Sequence, residues 1–73
     1  MKATLNEVLN DGEKLTVLDG TTWEVNPADM PTACTWIPTA NLQIHHDEGD
    51  QMHPYIIHNL ENDNKIRARK ISG

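Results

Sequence analysis

The chain has 73 residues and a formal net charge of −5, from eleven acids against six Lys and Arg, with two tryptophans and no phenylalanine. That length specifies a single small domain, residues 1–73, whose core buries only about 60% of the surface that the unfolded chain exposes. The acidic balance disfavours general nucleic-acid binding and an anionic membrane surface. No apolar run approaches the about 20 residues of a bilayer span, and a lone Cys34 excludes an internal disulfide or a cysteine-based zinc site.

The N-terminus, Met1-Lys2-Ala3-Thr4-Leu5, has no apolar leader region. As written, the chain therefore reads as cytoplasmic, or as a mature exported domain that begins with an added Met. Residues 4–9 read as a first strand, Asn10-Asp11-Gly12 as a turn and residues 13–18 as a second strand. Asp19-Gly20 turns the chain again, into a third strand over residues 21–25. Residues directly opposite in a hairpin share a face, so loop length decides which side chains meet. A two-residue Asp19-Gly20 turn would set Leu15 against Glu24. A three-residue loop with Gly20 at positive φ sets Leu15 against Trp23, apolar on apolar. The same rule at Gly12 sets Leu5 against Val17. Both loops predict one apolar face of Leu5, Leu9, Leu15, Val17, Trp23 and Val25. The opposite, wet face carries Thr4, Asn6, Lys14, Thr16, Thr22 and Glu24, with Val8 and Leu18 as exceptions.

Asn26-Pro27-Ala28-Asp29 has the form of a helix start: Asn26 caps and Pro27 takes the first helical position. Pro31 keeps the helix short. Residues 27–36 are predicted to be a connector that carries Cys34, as a small buried hydrophobe, and Trp36 into the core. Residues 41–46 alternate with Leu42 and Ile44 inward, 47–53 form a polar loop, and 55–60 form a strand. A turn at 61–64 leads into a last strand, 65–71, with Ile66 and Ala68 on one face and Lys65, Arg67 and Arg69 on the other. Regularly spaced short strands without a long helix predict an all-β fold, a small barrel of five or six antiparallel strands with one short helical turn.

Two clusters carry chemistry. His46, His53 and His58, with acids between them, are candidate zinc or nickel ligands at the open end of the 45–58 hairpin; the ordinary alternative is solvated surface histidines. His45 and His46 are adjacent on a strand, so only one of them can join a given site. Lys65, Arg67 and Arg69 are a candidate surface for an acidic partner or a nucleic-acid strand; the ordinary alternative is pairing with the protein's own acids. Trp23 and Trp36 are read as core. No nucleophile–base pair, phosphate loop or paired-carboxylate signature is present, and no cofactor is implied.

The run Asp19-Gly20-x-x-Trp23-x-Val25, then Trp36, Pro54-Tyr55-x-Ile57-x-Asn59 and Ile66-x-Ala68-x-Lys70, resembles a group of small, largely uncharacterised and often exported bacterial proteins. The resemblance covers residues 13–71 and implies an SH3-like barrel. It transfers no catalytic residue, and the His-rich hairpin departs from the pattern. The expected function is a non-enzymatic interaction module, binding a protein partner or a second copy of itself through a sheet edge or the basic last strand. Metal binding by the hairpin and nucleic-acid binding by residues 65–70 are the alternatives.

Overall fold

A computed structural model describes all residues, 1–73. Alternating apolar residues form six strands: β1 (Lys2–Leu9), β2 (Lys14–Val17), β3 (Thr22–Val25), β4 (Asn41–His46), β5 (Tyr55–Asn59) and β6 (Asn64–Ser72). They close into an antiparallel barrel in the order β1-β2-β3-β6-β5-β4, with β1 pairing both β2 and β4. This is the SH3-like barrel expected. Closure also corrects one expectation, because every strand has a hydrogen-bonded neighbour on each side and no free edge remains to receive a partner strand. No helix is long and apolar enough to cross a membrane.

The core is the predicted face. Leu5, Leu15, Val17, Trp23 and Val25 meet Leu42, Ile44, Ile57, Ile66 and Ala68 from the second group of strands. Trp23, at 1% exposure, is the largest fully buried side chain. The predicted pairs Leu5↔Val17 and Leu15↔Trp23 are both present. Gly20 takes φ +95°, as the three-residue turn requires.

The first pair arises differently from the prediction. The β1–β2 connection spans four residues, because Leu9 pairs with Lys14, and a bulge between Leu5 and Glu7 restores the register. A bulge inserts one residue and turns the following side chains to the other face. Val8 therefore lies opposite Leu15 and packs on the core, while Leu9, expected inward, pairs beside Lys14. Within the turn Asn10, Asp11 and Gly12 all have positive φ. At Gly12 a Cβ would stand 2.4 Å from the Met30 carbonyl oxygen, so glycine is required twice over.

The connector forms a 3-10 turn, Pro27–Asp29, with Asn26 capping the Ala28 N–H, and then a single helical turn, α1 (Met30–Ala33). It places Ala33 and Trp36 in the core. Cys34, expected inside, is exposed, and its Sγ lies 3.1 Å from the Pro31 carbonyl oxygen. The inward face of the one-turn helix is taken by Ala33, and the next residue points to solvent.

The Asp-Gly-Thr-Thr-Trp stretch has a hydrogen-bonded logic of its own. Trp23 Nε1–H donates to Thr21 Oγ1 at 2.9 Å, and the Thr21 hydroxyl donates to Asp19 Oδ1 at 2.7 Å. The Thr21 backbone N–H donates to the same oxygen at 2.9 Å. Thr21, at 7% exposure, thus satisfies the one polar atom that a buried tryptophan brings into the core.

Candidate functional site

The predicted histidine trio does not converge. His46 pairs with Tyr55 and His58 with Gln43, three rungs apart along β4, which places their side chains on opposite faces of the sheet. His46 stands at the barrel mouth, edge-on to Tyr55 with ring centroids 5.2 Å apart. His58 bonds Asp63 through Nε2 on the outer surface. His53 lies in the loop, with Nδ1 3.8 Å from Asp50 Oδ2. No three metal-binding side chains gather anywhere in the chain.

The basic stripe is on the outer face as predicted, but two of its three members are committed to this protein's own acids. Arg67 reaches over the polar loop: its guanidinium donates to the Asp47 carbonyl at 3.0 Å, to Asp47 Oδ1 at 3.3 Å and to the His53 carbonyl at 3.3 Å. It also lies 3.9 Å from Asp50 Oδ2. Asp47 is held below the ordinary carboxylate range first by the Gly49 N–H and then by Arg67. Asp50 is lowered chiefly by the His53 N–H. Arg69 Nε donates to Glu24 Oε1 at 2.6 Å, and this bond is the main cause that lowers Glu24. Lys65 alone of the stripe is in none of the ion pairs.

A more promising site lies where residues 35–41 face the β5–β6 turn. There a groove of about 570 Å³ is lined by Thr35, Ile37, Pro38, Thr39, Ala40, Asn41, Asn59, Glu61 and Asn62. Ile37 stands on its rim with 73% of its surface exposed. Thr39 has φ +71°, a left-handed backbone that a β-branched residue rarely adopts. Its conformation is imposed by β1: the Thr39 N–H donates to the Leu5 carbonyl at 2.7 Å, and the Leu5 N–H donates to the Ala40 carbonyl at 2.9 Å. Such strain costs on the order of 1–3 kcal/mol and concentrates at functional sites. The polar wall is cross-linked by its own hydrogen bonds. Glu61 Oε2 accepts from Asn41 Nδ2 at 2.8 Å, and the almost fully buried Asn59 accepts the Glu61 N–H at 2.9 Å.

Sequence reasoning passed over this groove. Alternation does place Asn59 on the same face as Ile57, so a buried asparagine at the barrel's end was readable. The strained Thr39 had no signal, because its φ depends on a backbone bond to Leu5, thirty-four positions away. No protein-family model, curated protein or solved structure matches the chain.

Proposed function

We propose that this chain is a non-enzymatic interaction module that holds an extended, basic segment of a protein partner in the groove between residues 35–41 and 59–62. The observation that carries this reading is the strained Thr39 backbone beside the exposed Ile37. A strained residue next to an uncovered apolar side chain marks a surface selected for something other than stability. The chemistry of the groove suits recognition: one apolar anchor, one fixed carboxylate, and amide and hydroxyl groups for a peptide backbone. Charge favours a basic occupant, because the chain carries −5 and spends Arg67 and Arg69 on internal pairs. The same ion pairs weigh against a nucleic acid on β6.

Selection of a random peptide library on the immobilised full chain tests this. The expected peptides combine Lys or Arg with an apolar residue, shift the amide resonances of residues 35–41 and 59–62, and lose binding to Ile37→Lys and Glu61→Lys. Binding that survives both substitutions, or maps to the outer face of β6, overturns the reading.

A further inference from the structure

The opposite end of the barrel holds a second concavity that the groove does not use. It measures about 410 Å³, within the range of small-molecule sites, and Asp19, Trp23, Ile44, His46, Tyr55 and Lys70 line it. Ile44 and Trp23 form an apolar floor. Tyr55 stands edge-on to Trp23, with centroids 5.0 Å apart at 76°, and His46 stands edge-on to Tyr55, so one wall is a continuous aromatic ladder. Across it Asp19 and Lys70 bring opposite charges, and the Met1 ammonium, which donates to the Ile44 carbonyl at 2.7 Å, adds a second cation at the rim. Asp19 is locked in place by two hydrogen bonds from Thr21, both to Oδ1, which leaves Oδ2 uncommitted. Lys70 enters from β6 on the rung opposite Trp23. It helps the two Thr21 hydrogen bonds hold the Asp19 carboxyl below its ordinary range. Yet Asp19 and Lys70 belong to none of the ion pairs, which involve Arg67, Arg69, His53 and His58. An anion held by Thr21 and a lysine thus line the same apolar space without forming a contact ion pair.

We infer that the barrel mouth binds a small zwitterion with an apolar or aromatic body, of the free amino-acid class. Asp19 Oδ2 receives the ammonium, Lys70 receives the carboxylate, and the body lies against Tyr55 over the Ile44–Trp23 floor. A simple anion would meet Asp19 and a simple cation Lys70, so only a ligand bearing both charges satisfies both groups.

The test is an NMR titration of the full chain with phenylalanine, phenylalanine amide, which lacks the carboxylate, and N-acetylphenylalanine, which lacks the ammonium. The expected result is saturable shifts at the Trp23 Nε1–H, Tyr55 and His46, with a Kd on the order of 1 mM for phenylalanine. Each derivative binds about tenfold more weakly. Lys70→Gln makes phenylalanine and its amide equivalent, and Asp19→Asn does the same for phenylalanine and its N-acetyl derivative. Absence of saturable shifts, shifts outside the mouth, or equal binding of all three compounds by the unaltered chain overturns the inference. The comparison of the three compounds decides the question even where a variant folds poorly.

Discussion

Thr21→Val is the substitution that most sharply separates a hydrogen-bonded core from a merely hydrophobic one. Valine keeps the shape of threonine and removes only the hydroxyl. In this barrel the hydroxyl accepts from Trp23 Nε1–H and donates to Asp19. Its loss strands a donor on the largest buried side chain, a cost of about 1–3 kcal/mol, while the Asp19 carboxylate turns to water at little cost. A loss of about 2 kcal/mol is expected, and in a domain of this size that lowers Tm by about 8–16 °C. A total stability of roughly 4–11 kcal/mol leaves the variant folded near room temperature. Thermal and urea unfolding followed by tryptophan fluorescence measure the loss. Thr21→Ser, which keeps the hydroxyl, recovers most of it, and Asp19→Asn, which keeps an acceptor for Thr21, changes stability by less than about 1 kcal/mol. A Thr21→Val variant within about 0.5 kcal/mol of the parent refutes the relay.

Other substitutions probe other joints. Gly12→Ala meets both a positive φ and the Met30 carbonyl oxygen 2.4 Å from the new Cβ. Gly20→Ala meets only its φ of +95° in open space. Urea unfolding is therefore expected to cost Gly20→Ala about 1 kcal/mol and Gly12→Ala at least about twice that; equal losses contradict the packing of the first turn on α1. Thr39→Asn, which tolerates left-handed backbone, is expected to raise stability by about 1 kcal/mol, and a lower midpoint shows that no strain was stored there. The native carboxyls of Glu24, Asp47 and Asp50 lie below their unfolded values. Their contribution is complete above the unfolded pKa of about 4 and is lost as pH falls through the depressed native values. The midpoint is accordingly flat above about pH 5 and falls below about pH 4, and Arg67→Ala flattens that acid limb. Cys34, being exposed, is expected to react with a thiol reagent in the folded protein as fast as in urea; protection in the folded state contradicts its placement.

Most of the barrel was legible because strand alternation and turn glycines are local. Leu15 against Trp23 follows from one glycine and one choice of loop length, and the structure has that pair. Leu5 against Val17 is the pair a three-residue turn implies, but it forms through a four-residue turn and a bulge whose register effects offset each other. Leu9 and Val8 expose the difference, since they lie beyond the bulge and exchange roles. Cys34 lies outside for a related reason: in the one-turn helix Ala33 takes the buried position and Met30 packs partly against the core, which leaves the next residue facing solvent. The histidines were close in sequence, but strand pairing sends His46 and His58 to opposite faces. The groove was least legible. Its outline is set by the Leu5–Thr39 backbone bond and by the Asn41–Glu61 contact, and neither follows from any local pattern.

The groove is the centre of the functional account, and residue 37 is the place to interrogate it. A photo-crosslinking amino acid installed there in the full chain, with the exposed residue 71 near the end of β6 as a control outside the groove, reports what covers each position in the native cell. The expected result is a crosslink from position 37 to a defined protein, at a segment where Lys or Arg adjoins an apolar residue, and none from position 71. An uncrosslinked position 37, or the same products from both positions, contradicts it.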